Sequence, residues 1–449
     1  MQYSFSPKLK MASLVLIVVG AVLYGIGFYL NSQDQHNPKY IEEMVQNNPE
    51  MFFGKYQSAE YQALNQTHLV GEENPQWHTW EHQVQNRPWA ALLTISYFAF
   101  GIAGAALFFL CVQFAANAGW SVIVSRVMEG VASFIPVGGV LILIVIFAAA
   151  FGGNHLYHWM DKSLIDPNSE HYDIFIASKS KIWLNTSGWM IRSILYVVLF
   201  TAFLFLVKRA TKRMDENKGD RKTWERLFST GVGFIVIYSL SITGMAWDWV
   251  MSLDPHWYST LFMFYGMVSN LVAAVALIAM ISIYLKQQGA LPLFNDNHQH
   301  DLAKYMFGFS LLWTYLWFCQ WMLQWYADIP EEVQYFQQRH AQYPGYYWML
   351  LINFLAVLLI MISSSIKRVP QLVFVMGGFI VIGHYWDFYN QIMPGSVGAF
   401  HNFGLLEIGS LLFVGGLFTF VVFNAISKLN LEAKGNPFFH ESKVYEYPF

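Results

Sequence analysis

From Trp89 to Ala116 the chain reads WAALLTISYFAFGIAGAALFFLCVQFAA, without one Asp, Glu, Lys or Arg. A helix rises about 1.5 Å per residue, so roughly 20 apolar residues cross the hydrocarbon core of a bilayer. This stretch predicts a transmembrane helix. Nine others repeat the pattern, at 10–30, 120–151, 186–207, 228–250, 258–285, 303–326, 345–366, 370–393 and 403–427. The expected fold is all-α: a polytopic membrane bundle of about ten transmembrane helices forming one domain over residues 1–449. The stretch 120–151 is too long for one straight span and holds Pro136, Gly138 and Gly139, which predict a kink or an interfacial lead-in.

Composition agrees. Apolar types make up 55% of the 449 residues and charged types 12%, against about 25% charged in soluble domains. The net charge of −3 gives no basic face for nucleic acid. Cys111 and Cys319 both fall within apolar runs, which indicates no disulfide framework, and no Cys-x-x-Cys-His haem attachment or cysteine cluster is present. The run from Met11 to Leu30 is long enough to span, and no small-x-small cleavage site follows it, so it reads as a retained first helix.

Basic residues set the orientation. With the N-terminus cytoplasmic, 18 of the 26 Lys and Arg fall inside, including the run from Lys208 to Arg226. The expectation is N-in and C-in, with outer-face loops at 31–88 and 152–185, a basic cytoplasmic loop at 208–227 and a cytoplasmic tail at 428–449. The outer loops either dock a partner or cap the bundle. Trp89, Trp120, Trp183 and other tryptophans mark span ends, as an aromatic belt does.

Ionisable groups inside spans are costly, and so they are candidates for function. His384, Asp387 and Asn390 recur at spacings of three and share one helix face. An imidazole beside a carboxylate can relay a proton or accept one from a hydroxyl; the same residues can equally form a hydrogen-bond network that only fixes packing. Asp248 ends the fifth span and Glu407 opens the tenth. Arg126 and Glu129, three apart near the start of the third, read as a local ion pair or a proton entry. These six ionisable residues, His384, Asp387, Glu407, Asp248, Glu129 and Arg126, are the proton-path candidates. His155, His158 and Asp161, in Asn154-His-Leu-Tyr-His-Trp-Met-Asp, are the quinol-site candidates, or plain interfacial polar residues. No third and fourth metal ligands accompany them. Of the 14 His only His384 lies well inside a span, so a bis-His haem is not indicated.

Tyr3-Ser-Phe-Ser-Pro-Lys-Leu-Lys, Arg87-Pro-Trp-Ala, Ala118-Gly-Trp-Ser-Val, Asn154-His-Leu-Tyr-His-Trp-Met-Asp and Trp257-Tyr-Ser-Thr-Leu-Phe, in this order, resemble the membrane F subunits of alternative complex III, the bacterial quinol:cytochrome c oxidoreductase. That family is related to the NrfD/polysulfide-reductase membrane subunits. The resemblance covers nearly the whole chain. The histidine count points to no redox cofactor bound directly; the resemblance implies a multi-pass subunit of the bacterial cytoplasmic membrane that meets quinol or quinone. Haem c and iron–sulfur clusters would sit in partner subunits. The implied partners are an NrfD-like C subunit, multihaem and monohaem cytochrome c subunits, an iron–sulfur subunit, other small membrane subunits, and lipid. The residues alone also allow a secondary transporter or a purely structural membrane anchor.

Overall fold

The computed structural model describes residues 3–35, 37–52, 77–217 and 220–446. Lys55 and Pro75 of the expected first outer loop lie outside the described residues. The bundle is built from α1 (Pro7–Gln35), α2 (Pro38–Asn47), α3 (Trp77–Ala115), α4 (Ser125–Ala132), α5 (Ile135–Ala150), α6 (Ile174–Ile182), α7 (Thr186–Glu216), α8 (Arg221–Met245), α9 (Phe262–Gln287), α10 (Asp296–Ala327), α11 (Pro330–Gln342), a helical segment α12 (Trp348–Met361), α13 (Pro370–Val397), α14 (Leu405–Ile426) and α15 (Phe439–Lys443). The chain is an all-α polytopic bundle.

Among the described residues eight helices are long and apolar enough to cross a membrane: α1, α3, α4 with α5, α7, α8 with the turns that follow it, α9, α13 and α14. The other two expected spans are helical but fall short. α10 is long, but its Trp, Tyr and Gln content makes it less apolar, and α12 is short.

α3 lies at the centre. It packs against α1, α4, α5, α8, α9, α13 and α14, and nearly all its apolar side chains are buried. α1 packs along α14 on the outside, and small residues let the two backbones close up. A Cβ on Gly20 would sit 2.2 Å from the Phe413 nitrogen, and one on Gly409 would sit 2.4 Å from that of Tyr24. Close approach of this kind is how helices associate in lipid, where no hydrophobic effect drives them together.

Several helices outrun the apolar stretches that reveal them. α3 begins at Trp77, so 77–88, expected as loop, is helix, and Pro88 lies inside it. The kink expected near Pro136 is a break. α4 ends at Ala132 and α5 starts at Ile135 with the proline in its first turn, where a missing N–H costs nothing. Two other segments leave α-geometry inside the bundle. Ala246–Val250 and Leu351–Ala356 are π-turns, which carry Asp248 and Asn353. Such turns often occur at functional sites.

The helix ends form two faces. At one, α2 lays Ile41 and Val45 against Trp77, Trp80, Val84 and Phe400. At the other, the tail folds back over the bundle. Ser442 Oγ–H donates to the Trp120 carbonyl (2.9 Å) and accepts from the Ile123 N–H (3.2 Å), and Tyr445 O–H donates to Asp301 (2.5 Å).

Candidate functional site

Among the described residues five carboxylates are buried: Glu129, Asp248, Asp301, Asp387 and Glu407. Four of them have a Lys or Arg partner. Arg126 Nη1 lies 2.6 Å from Glu129 and its Nη2 2.5 Å from Asp215. Arg192 binds Asp248 at 2.8 Å, Arg87 Nε lies 3.4 Å from Glu407, and Lys304 Nζ lies 2.5 Å from Asp301. Asp387 is the exception. Its nearest cationic candidate is His384 Nδ1, 3.9 Å away, and both side chains are fully buried.

Neutral donors from two other helices surround Asp387 instead. α9 supplies Tyr265 and Ser269, one turn apart, and α10 supplies Trp313. Oδ1 accepts a hydrogen bond from the Tyr265 hydroxyl. Oδ2 accepts from Ser269 Oγ–H at 2.8 Å and from Trp313 Nε1–H at 2.9 Å. Ser269 Oγ also lies 2.8 Å from His384 Nδ1. A hydroxyl has one proton. If Ser269 donates it to Asp387, Nδ1 must carry a hydrogen and donate to Ser269. The result is a directional chain from imidazole through hydroxyl to carboxylate. Reversing the hydroxyl would let a proton pass along it. The far nitrogen, His384 Nε2, makes no hydrogen bond among the described residues, and the Trp313 ring meets the imidazole edge-on at 5.2 Å.

Asp387 also lines a narrow hollow with Tyr265, Gln320, Tyr346, Asn390 and Gln391. Its volume is about 10 Å³, room for about one water molecule. The Asn390 Oδ1 and Gln391 Nε2 atoms are buried without a hydrogen bond among the described residues. The hollow is thus polar enough to hold water and too small to admit a quinol ring.

The other proton-path candidates are not at this site. Asp248 is saturated. Oδ1 accepts from Trp183 Nε1 (2.7 Å) and Arg192 Nη2 (2.8 Å), and Oδ2 from Arg192 Nε (2.8 Å) and Tyr196 O–H (3.0 Å). Glu407 accepts the Gly404 N–H at 2.8 Å and so caps its own helix, beside Arg87, which also binds the Asn402 carbonyl. Glu129 accepts from Thr211 as well as Arg126. Each of these three carboxylates is held by an arginine and at least one further donor.

His155, His158 and Asp161 are exposed at the end of the bundle. The His155 ring faces that of His82 at 4.0 Å, and its backbone N–H binds Asn86. Partial burial, then the facing His82, holds the His155 imidazole below its ordinary range. Asp161 accepts the Ser163 N–H and starts a short turn. None of the three lines the hollow at Asp387.

His384, Asp387 and Asn390 stand out in the sequence, whereas Tyr265, Ser269 and Trp313 do not, because a serine and two aromatics in apolar helices look like packing. The i,i+4 spacing of Tyr265 and Ser269 was the available signal. Arg87 and Arg192, outer-side cations by the Lys and Arg count, are both partners of buried acids. Neither a comparison with protein-family models nor one with curated proteins yields a match for this chain.

Proposed function

We propose that this chain is a membrane subunit of a quinol:cytochrome c oxidoreductase of the alternative complex III type, lying N-in in the bacterial cytoplasmic membrane, and that Asp387 with His384 carries protons while partner subunits carry electrons. The observation that carries this reading is the contrast among the buried acids. A carboxylate locked to an arginine is held charged and structural, whereas one held by neutral donors can gain and lose a proton at lower cost. The ordered run of motifs quoted above supports the family.

Oxidation of a quinol yields a quinone, two electrons and two protons. The haem and iron–sulfur groups of partner subunits would take the electrons. The protons need acceptors, and Asp387 offers one. It can take a proton from water in the hollow on one oxygen, and the Ser269 hydroxyl connects the other to the imidazole. The hollow excludes the quinol ring, so the role assigned to Asp387 is proton transfer and not quinol binding. His155, His158 and Asp161 remain the candidates for a quinol-facing surface, at the end where the partner subunits would dock.

The competing reading is a structural one, in which Asp387 only ties α9, α10 and α13 together. Asp387→Asn keeps the shape and removes the titratable group. In the intact complex, assembled and carrying its c-type haem, we expect turnover coupled to proton transfer to fall at least tenfold with assembly unchanged. Wild-type turnover in that complex, with a lowered melting temperature, would make the network structural. Solute uptake by the chain alone in liposomes would favour a transporter.

A further inference from the structure

Away from the buried acids, α7 and α8 form a hairpin whose end carries a groove of about 900 Å³. Arg209 and Arg213 line it from α7, and Lys222 and Arg226 from α8. Each pair is spaced i,i+4 and so faces one way. All four side chains are exposed, and none forms a salt bridge among the described residues; Glu216 and Glu225 also line the groove, each beside a cation outside it, Lys212 at 3.9 Å and Arg221 at 2.9 Å. Four cations against two carboxylates leave the groove lining with a net positive charge.

It is also continuous with apolar surface. Leu206, one turn before Arg209, lines the groove and is 48% exposed, and Phe205 beside it is 59% exposed. On α8, Val232 and Val236 are exposed beyond Ser229. A cationic groove that opens onto an apolar wall, at the point where two spanning helices leave the hydrocarbon, matches an anionic lipid in both of its parts. The phosphate meets arginine and lysine, and the acyl chain meets the apolar flank. A hydrated basic loop needs no groove and no such wall.

We propose that this groove binds one anionic phospholipid, its phosphate held between the two arginines of α7 and the Lys222–Arg226 pair of α8, and an acyl chain lying along Leu206 and Val232. The site does not depend on the oxidoreductase reading. Each cation near a membrane surface contributes about 1 kcal/mol to attraction of anionic lipid, about fivefold in affinity.

The test is native mass spectrometry of the full chain in mild detergent, titrated with phosphatidylglycerol or phosphatidylcholine. The wild type should retain phosphatidylglycerol in preference to phosphatidylcholine. R209Q/R226Q should lose about 25-fold in phosphatidylglycerol affinity, and K8Q, which removes an exposed cation outside the groove, should behave as wild type. Matching melting temperatures in phosphatidylcholine would show that the double variant is folded. Equal retention of the two lipids by wild type, unchanged affinity in R209Q/R226Q, or displacement of the lipid by millimolar inorganic phosphate alone would overturn the proposal.

Discussion

Arg192 and Asp248 form a two-pronged ion pair, Nε to Oδ2 and Nη2 to Oδ1, each at 2.8 Å, that joins α7 to the π-turn after α8. The Asp248 side chain is fully buried and that of Arg192 is 19% exposed. Losing one partner of such a pair leaves an uncompensated buried charge, at a cost of about 3–5 kcal/mol. Arg192→Gln should therefore lower the thermal stability of the detergent-solubilised chain sharply. R192Q/D248N should recover much of the loss, because no buried charge is left alone. A double variant as unstable as the sum of its parents would show that each residue acts through separate contacts.

The Asp387 network makes the opposite prediction, since its partners are neutral. Ser269→Ala breaks the link between His384 and Asp387 and removes one of three donors to the carboxylate. Trp313→Phe removes another donor and leaves the imidazole–carboxylate route intact. If the relay runs through the hydroxyl, S269A should slow proton-coupled turnover about 10-fold or more, with W313F closer to wild type. Each should cost only about 1–2 kcal/mol in stability. Equal slowing by both, measured as turnover against assembled complex, would mean that they act through packing alone.

How far the chain was legible follows from what each feature looks like locally. Spans such as Trp89–Ala116 announce themselves, because about 20 uncharged residues have one physical home. Their true ends do not. α3 continues back through Arg87, Glu81 and His82 to Trp77 and α7 forward to Glu216, because a helix persists in water where apolarity stops. His384 and Asp387 were legible as a pair, since residues three apart on one helix share a face. Their partners on α9 and α10 were not, because contacts between helices far apart in sequence leave no periodic trace. Arg87, Arg192 and Lys304 show the same limit. The sequence displays their charge but not the acid that each one neutralises.

The α1–α14 contact rests on glycine. Gly20→Val or Gly409→Val would place side-chain atoms inside the facing backbone, where an added Cβ already falls 2.2 or 2.4 Å from a main-chain nitrogen. α1 must then move away, and it has little other burial to hold it. Expression should survive, whereas residues 7–35 should become accessible to hydrogen exchange or labelling. Gly25→Val, with nothing near its Cβ, is the control that should change neither.

His298 gives a dependence on pH. It sits at the start of α10, ahead of the apolar stretch, fully buried under the tail. Its Nδ1 lies 2.7 Å from Asn295 Oδ1 and 3.2 Å from the Asn295 backbone nitrogen, and its Nε2 lies 3.4 Å from Ser442 Oγ, so the ring is held between the helix start and the tail. Burial pushes its pKa down to about 4, against an ordinary 6.5, while nearby Asp301 opposes the shift and Lys286 adds to it. The unfolded chain therefore binds the proton first. The stability this group confers is whole above about 6.5 and is lost as pH falls from there toward 4, in total roughly 3 kcal/mol. The tail around Ser442 is the segment held against it. Hydrogen exchange at 436–446 should rise as pH is lowered through that window, after correction for the intrinsic rate, and His298→Gln should flatten the dependence. A wild-type tail equally protected at pH 4.5 and pH 7 would show that the imidazole does not control this contact.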